Sequence, residues 1–223
     1  MKEIDLVVFD MDGLLFETEK SYYEALRAAM ESFGFDFAFE TYQQMIGISD
    51  KETDEALQKI CGPGFSTVPL WEENNRQFDL LLEKKGLGIK PGAERLLDVL
   101  DQLGIAKCIA SSNNKAAIER YLHVSGMGDR FEFYVSADDV ARAKPDPDIF
   151  LTACRKAGAA AEKTLVLEDS LNGLRAAKAA GINCIVVPDL LAPDEEMRRN
   201  AYDIVDSLDE VIPFIERARE PRG

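Results

Sequence analysis

The sequence is poor in the residues on which several common enzyme mechanisms depend. It contains one histidine, His123, and neither of the patterns G-x-S-x-G and G-x-x-x-x-G-K-[ST], so we expect neither a Ser-His-Asp triad nor a P-loop. The cysteines form no C-x-x-C pair, which argues against the usual zinc and redox motifs. Their neighbours are apolar, so we expect buried free thiols and a reducing compartment, the cytoplasm.

Positive charge is also scarce. Lys and Arg number 26 against 41 Asp and Glu, which gives a formal net charge of −15 at pH 7. Such a surface repels the phosphates of nucleic acids and anionic lipids, so we expect neither nucleic acid nor membrane as a partner. No stretch approaches the roughly 18 apolar residues of a membrane helix, and the N-terminal residues show no signal-peptide pattern. We therefore expect a cytoplasmic monomer that binds small molecules.

The sequence does contain an alternation of short apolar runs and helix-like stretches. The runs are continuous, which is typical of strands in a sheet covered by helices on both faces. Between them lie helical apolar stripes, such as the one over residues 96–103, which Gly104 ends. This pattern predicts an α/β fold with a doubly wound, mainly parallel sheet and a Rossmann-like core. The five predicted strands are Leu6-Val7-Val8-Phe9, Lys107-Cys108-Ile109-Ala110, Phe133-Tyr134-Val135, Leu165-Val166-Leu167 and Cys184-Ile185-Val186-Val187.

Residues 16–90 interrupt this alternation, and we predict that they form an inserted all-helical cap domain. The pattern S-x-x-E at residues 21–24 and again at 49–52 matches the capping box that begins a helix. A third helical stretch, residues 70–85, precedes a glycine. The catalytic core then comprises residues 1–15 and 91–223.

Acidic residues stand where predicted strands end. Asp10 and Asp12 follow the first strand, and Glu168 and Asp169 follow the fourth. The carboxyl ends of parallel strands meet at one edge of a sheet, where ligands bind. Four carboxylates at that edge would repel one another unless a cation lay among them, and oxygen ligands suit Mg²⁺. We therefore predict Mg²⁺ as a cofactor.

The same edge offers a site for a phosphate group. The second strand ends in Ser111-Ser112-Asn113, whose backbone N–H groups can hold phosphate oxygens, and Lys144 adds a positive charge. Asp10 and Asp12 are two residues apart, and Gly13 lets the chain turn after them. One carboxylate could therefore attack phosphorus to give an aspartyl-phosphate, while the other moves protons.

These residues resemble the motifs of the haloacid dehalogenase superfamily, in its β-phosphoglucomutase-like branch with a helical cap after the first strand. The match spans nearly the whole chain, with four motifs at the ends of successive strands. In chain order the motifs are Asp10-Met11-Asp12-Gly13-Leu14-Leu15-Phe16-Glu17-Thr18-Glu19, then Ser111, then Lys144-Pro145, then Glu168-Asp169-Ser170.

The resemblance implies a role for each acidic residue of these motifs. Asp10 would be the nucleophile and a metal ligand. Asp12 would be the general acid/base, and its backbone carbonyl would also bind the metal. Glu168 and Asp169 would complete the Mg²⁺ site.

The resemblance also implies contacts with the substrate. Ser111 and Lys144 would orient the transferring phosphoryl group and stabilise its charge. Gly47, in a small turn of the cap, would touch the substrate.

Differences from the family's pattern narrow the expected activity. Asp12 is present, whereas carbon–halogen-cleaving and phosphonate-cleaving relatives lack this second acidic residue. Both of those activities are therefore disfavoured. The sugar phosphomutases carry a histidine and an arginine where this chain has Tyr22 and Asp50. Glu17 stands where a shorter Asp is usual, and the sequence leaves its role open.

We therefore predict a Mg²⁺-dependent phosphatase that hydrolyses a small organic phosphomonoester, such as a sugar phosphate or similar metabolite. One alternative is a sugar phosphomutase of the β-phosphoglucomutase type. A second, from a different class, is a non-catalytic protein that binds a phosphorylated metabolite.

Overall fold

The computed structural model describes residues 3–46, 48 and 50–219. Contacts within the chain divide it into two compact units, one of residues up to Glu17 and from Gly88 onward, the other of Thr18–Leu87. The two segments that connect the units, residues 15–17 and 88–90, pair with each other. Phe16 forms an antiparallel bridge with Ile89, the Glu17 N–H donates to the Gly88 carbonyl (2.9 Å), and residue 90 donates to the carbonyl of residue 15 (2.9 Å). Residues 16, 17 and 88–90, which the sequence assigned to the insertion, therefore belong to the sheet-containing unit.

The described residues form six strands and ten α-helices. The strands are β1 (Leu6–Phe9), β2 (Ala106–Ala110), β3 (Phe133–Val135), β4 (Thr164–Glu168), β5 (Asn183–Val186) and β6 (Asp203–Ile204). The helices are α1 (Thr18–Ser32), α2 (Phe39–Gln43), α3 (Asp50–Cys61), α4 (Thr67–Lys85), α5 (Ala93–Leu103), α6 (Lys115–Ser125), α7 (Asp148–Ala157), α8 (Leu171–Ala179), α9 (Glu195–Asn200) and α10 (Ile212–Arg219). None of these helices is both long and apolar enough to cross a membrane.

All described strands join one parallel sheet, in the order β3-β2-β1-β4-β5-β6. The first strand lies inside the sheet, where Val8 pairs with Cys108 on one side and Val166 on the other. The predicted α/β fold with a doubly wound parallel sheet is confirmed, and each of the five apolar runs contains a strand. The two-residue β6 was not predicted.

The apolar core of this unit lies between the sheet and its helices. Side chains of β1, β2, β4 and β5 pack with Phe150 of α7 and Leu174 of α8. Cys108, Cys154 and Cys184 are buried free thiols, whereas Cys61 is partly exposed. Burial raises the pKa of the Cys184 thiol, so the buried cysteines serve as small apolar side chains.

The second unit consists of α1 to α4. Its two longest helices, α1 and α4, pack together, with the Tyr22 ring stacked 4.5 Å from the Phe78 ring and Lys85 paired with Glu24 at 2.6 Å. The predicted helix start at the 21–24 capping box is wrong, because α1 begins at Thr18 and already contains Ser21. The second capping box begins at residue 49, which lies outside the described residues.

Candidate active site

Asp10 occupies the carboxyl end of an interior strand. It follows β1 directly, and its backbone N–H donates to the Leu167 carbonyl of β4 (3.0 Å), which extends the strand pairing by one residue. This pairing fixes the side chain at the edge of the sheet where parallel strands end. Asp10 is 8% exposed, and its Oδ1 accepts a hydrogen bond from Lys144 Nζ at 2.5 Å. The predicted nucleophile is thus a nearly buried carboxylate with one oxygen held by a lysine.

Lys144 lies in the loop before α7 and joins three strand ends. Besides Asp10, its ammonium donates to Glu168 Oε1 at 2.7 Å and to the Ala110 carbonyl at 3.0 Å. The group also lies 5.0 Å from the centre of the Phe150 ring. Burial opposes its charged form, but the Asp10 and Glu168 carboxylates outweigh burial and raise the pKa of Lys144. Lys144 therefore stays cationic although its side chain is only 5% exposed.

Glu168 and Asp169 bring two further carboxylates from the end of β4. One oxygen each from Asp10, Glu168 and Asp169 lies within 4.8 Å of the others. Glu168 Oε2 also accepts hydrogen bonds from the Ser170 N–H (3.1 Å) and hydroxyl (2.9 Å). A Cβ atom at Gly173 would lie 1.8 Å from Glu168 Oε1, so α8 approaches this carboxylate through a glycine.

The electrostatics of the cluster show an excess of buried negative charge. Burial raises the pKa of Asp10 to about 8, with Lys144 opposing this change and Glu168 and Asp12 adding to it. Burial also raises the pKa of Asp169, and the charges of Glu168 and Asp10 raise it further. One lysine does not balance these carboxylates. Carboxylate oxygens this close together are the ligands that hard divalent cations prefer, so the residues present fit Mg²⁺.

Asp12 and Gly13 lie where the chain turns away from β1. Asp12 Oδ2 accepts a hydrogen bond from Asn113 Nδ2 at 2.5 Å. Gly13 has φ +74°, and a Cβ atom there would lie 2.2 Å from Asp169 Oδ2. The turn between the two aspartates and the linker therefore requires glycine, both for its backbone angle and for the space taken by Asp169.

The predicted phosphate-binding residues Ser111, Ser112 and Asn113 differ in exposure and in hydrogen bonding. Ser111 is 1% exposed, and its hydroxyl accepts from the Asn113 N–H at 3.1 Å. Ser112 is exposed, whereas Asn113 holds Asp12. The helix N-terminus lies later than the sequence suggested, because α6 begins at Lys115 and its cap is Asn114. Gly47 lies outside the described residues.

Two residues near this site were missed by the sequence analysis. Lys90 pairs with Asp189 at 2.6 Å, and both side chains are nearly buried. Asp189 Oδ2 would lie 3.3 Å from a Cβ atom at Gly13, on the side where Asp169 Oδ2 lies. Asp189 lies two residues after the apolar run of β5. The criterion that identified the other acidic residues, their position just after a strand, could therefore have identified Asp189 as well.

The fold and the site together define the class of protein. A doubly wound sheet that gathers carboxylates and one buried lysine at the carboxyl ends of its strands is suited to binding a cation and a phosphate group. The sequence model of the haloacid dehalogenase-like hydrolases matches residues 7–187. The chain belongs to this family, as its motifs predicted.

Known proteins similar to this chain include a phosphatase, the protein CbbY and a phosphoglucomutase. The phosphorylated carbohydrates phosphatase of Thermotoga maritima is 32% identical over 187 residues, covering 82% of this chain and 84% of that protein. CbbY from Rhodobacter sphaeroides, solved with xylulose-(1,5)bisphosphate, has a TM-score of 0.76 and 28% identity, with coverages of 93% and 96%. The β-phosphoglucomutase of Clostridium difficile has a TM-score of 0.73 and 26% identity, covering 96% of each chain. The predicted enzyme class, a haloacid dehalogenase-like phosphoric monoester hydrolase, is confirmed.

Proposed function

We propose that the protein hydrolyses a small organic phosphomonoester with Mg²⁺ bound, through an aspartyl-phosphate formed on Asp10. The observation that carries this proposal is the arrangement of Asp10, Lys144 and Asp169. A buried carboxylate is fixed by a lysine on one side and faces a second carboxylate on the other. A carboxylate held in this way can attack phosphorus and accept the phosphoryl group once it is ionised, and a bound divalent cation would favour the ionised form.

The chain's own residues divide the work of the two half-reactions. Lys144 fixes Asp10 Oδ1 and offers positive charge to the phosphoryl oxygens. Asp12, held by Asn113, protonates the departing oxygen and then takes a proton from the water that hydrolyses the aspartyl-phosphate. Asp10, Asp169, Glu168 and the Asp12 carbonyl would hold Mg²⁺, which supplies Lewis-acid stabilisation of phosphoryl charge when bound.

The backbone of residues 111–113 has a supporting role in this proposal. Ser111 is buried beside the Ala110 carbonyl that accepts from Lys144. Its backbone N–H is occupied, because it donates to the Val135 carbonyl at 3.0 Å. The Ser111 hydroxyl and the N–H of Ser112 are therefore the phosphate contacts that we assign to this turn.

The helical unit, Thr18–Leu87, is the proposed cap, and the more enclosed of two cavities in its described part suggests the kind of substrate. The cavity measures about 180 Å³, below the roughly 300–1,000 Å³ of sites for drug-sized ligands. Tyr22, Trp71, Glu19 and Asn74 are among its lining residues, and none of the described lining residues is a lysine or arginine. Asn74 is 5% exposed, and its Oδ1 accepts no hydrogen bond in the described structure.

This lining favours an uncharged, hydroxyl-bearing group over a second phosphate. Glu19 would repel a phosphate, and its carboxylate already accepts from the Tyr42 hydroxyl at 2.7 Å. Asn74 can bind a hydroxyl group, which would satisfy its buried amide oxygen. We therefore propose a phosphatase acting on a sugar monophosphate rather than a phosphomutase, which must bind a second phosphate in its bisphosphate intermediate.

A substrate screen with two site variants tests this function. Purified protein would be assayed with sugar monophosphates, sugar bisphosphates and p-nitrophenyl phosphate, with Mg²⁺ or with a chelator, while released phosphate and isomerised sugar phosphate are measured separately. We expect Mg²⁺-dependent phosphate release that is lost in Asp10→Asn and kept in Asp101→Asn. The second variant is a control, because Asp101 pairs with Lys107 near the start of β2, at the other end of the sheet. Mass spectrometry of acid-quenched protein should find the phosphoryl group on the Asp10 peptide.

Two other results would overturn the proposal. Isomerised sugar phosphate as the main product would identify a phosphomutase. Binding of phosphate esters without turnover of any of them would identify a non-catalytic binder.

A further inference from the structure

Asp189 is a mostly buried carboxylate to which the proposed catalytic steps assign no role. It lies in the segment after β5, and its Oδ1 accepts from Lys90 Nζ at 2.6 Å. The two side chains are 13% and 14% exposed. Lys90 is fixed in turn, because its backbone N–H donates to the Leu15 carbonyl at 2.9 Å. The ion pair therefore holds the Asp189 carboxylate in one orientation.

The second oxygen of this carboxylate faces the acidic cluster. Asp189 Oδ2 is buried and has no hydrogen-bond partner within the described protein. It approaches the point above Gly13 where a Cβ atom would lie 3.3 Å from it and 2.2 Å from Asp169 Oδ2. Lys90 thus leaves one Asp189 oxygen directed toward the predicted metal ligands.

Asp189 is nevertheless not one of the three carboxylates that lie close enough together to hold a cation directly. It does not belong to the group of Asp10, Glu168 and Asp169, whose oxygens lie within 4.8 Å of one another. A buried carboxylate oxygen without a donor costs free energy, so its retention calls for a donor that arrives from outside the protein. Water bound to a divalent cation is a strong donor, and carboxylates around metal sites commonly accept from such groups.

We propose that Asp189 is a positioning residue of the magnesium site, which accepts a hydrogen bond from water of the bound ion. This inference rests on the proposed magnesium site. It adds a third strand end, that of β5, to the ends of β1 and β4 that carry the predicted ligands. It also assigns a use to a buried carboxylate oxygen that has no hydrogen-bond partner in the described structure.

Calorimetric titration of Mg²⁺ into metal-free protein tests this role without an activity assay. We expect Asp189→Asn to weaken Mg²⁺ binding about 10-fold, which is the lower end of the effects seen for groups that support metal ligands. Lys90→Gln should keep the wild-type affinity or strengthen it, because glutamine removes a positive charge but still offers an N–H donor to the Asp189 carboxylate. The matched control is Asp101→Asn, which removes a carboxylate paired with a buried lysine far from the strand carboxyl ends and should leave Mg²⁺ binding unchanged.

The outcomes separate this role from a purely structural ion pair and from failure of the metal site. An Asp189→Asn affinity within twofold of wild type would overturn the proposal, as would equal weakening by Lys90→Gln. If Asp189→Asn does not fold, weakened binding by Lys90→Gln alone still contradicts it. Asp169→Asn, a predicted ligand, should abolish binding. A wild-type protein that binds no Mg²⁺ would refute the magnesium site itself, and this inference with it.

Discussion

Two buried lysines lie at opposite ends of the parallel sheet, and their surroundings differ. Lys144 lies at the carboxyl ends of the strands, and Lys107 lies near the start of β2. Each side chain is 5% exposed and pairs with two acidic residues. The partners of Lys107, Asp101 and Glu132, are 50% and 49% exposed, whereas those of Lys144 are 11% and 0% exposed.

The pKa values of the acidic partners move in opposite directions. The hydrogen bond from Lys107 lowers the pKa of Asp101 below its usual value, as expected of a balanced ion pair. At the other end, burial and neighbouring carboxylates raise the pKa of Asp10 to about 8 despite the contact with Lys144. A lysine paired with a carboxylate is therefore not in itself a sign of function. What indicates a functional site is an excess of buried carboxylates that one lysine does not neutralise.

The strongest test of this difference removes the central carboxylate. We expect Asp10→Asn to lower kcat at least about 10⁴-fold, because an amide cannot attack phosphorus. Its melting temperature should stay within a few degrees of wild type, since burial already disfavours the charged form of Asp10 and Lys144 keeps Glu168 as a partner. Steady-state kinetics and thermal denaturation measure both effects. Substantial remaining turnover would show that another group is the nucleophile.

The second test concerns the residue assigned to proton transfer. Asp12→Asn should slow hydrolysis of alkyl phosphates about 10²- to 10³-fold, because their leaving groups must be protonated. It should slow p-nitrophenyl phosphate much less, since that leaving group departs without a proton. Comparison of kcat for the two substrate classes measures the difference. Equal slowing of both would contradict the acid/base role.

A third, smaller effect should appear in the pH dependence of stability. In metal-free protein the raised pKa of Asp10 means that the folded state binds more protons than the unfolded state between about pH 4 and pH 8. Stability should therefore fall as the pH rises through this range. Mg²⁺ should raise the melting temperature more at pH 8 than at pH 5, because at pH 5 it must displace protons.

Asp10→Asn provides the control for this prediction. The whole protein is acidic, and general repulsion also lowers stability as the pH rises. The variant keeps that background and lacks the carboxylate, so its melting temperature should depend less on pH than that of wild type. Equal pH dependence in the two proteins would mean that Asp10 does not contribute.

The smallest effect is expected at the opposite end of the sheet. Asp101→Asn should lower the free energy of unfolding by only about 1 kcal/mol at pH 7, because Asp101 is half exposed and Glu132 remains beside Lys107. The stabilisation exists above the unfolded pKa of Asp101 and is lost as the pH falls through its lower folded pKa. Urea denaturation at pH 7 and below pH 3 checks this. A change in kcat would contradict a purely structural role.

The sequence predicted the parts of the fold that depend on local pattern. Continuous apolar runs located β1 to β5, because buried parallel strands need no polar face. It missed β6, Asp203–Ile204, which has no apolar run and depends on its pairing with β5. It misplaced the start of α1, since S-x-x-E also occurs inside a helix, and the helix begins three residues earlier at the buried Thr18.

The candidate site was predictable to a similar extent. The position of residues after strands identified the acidic residues and Lys144, because parallel strands end at one edge. The partner of each side chain was not predictable. That Asn113 holds Asp12, rather than facing a phosphate, follows from the path of the loop after β2. The pairing of Lys90 with Asp189 joins residues 99 positions apart, and no local pattern encodes it.

The paired linkers around Phe16 and Ile89 have a consequence for how such proteins diversify. The chain leaves the sheet-containing unit and returns to it along two adjacent, hydrogen-bonded backbones. The insertion point is therefore already closed, and a short loop could join its two ends. Whole modules could be exchanged at this junction without displacing Asp10, so selectivity could evolve by grafting while the chemistry stays unchanged.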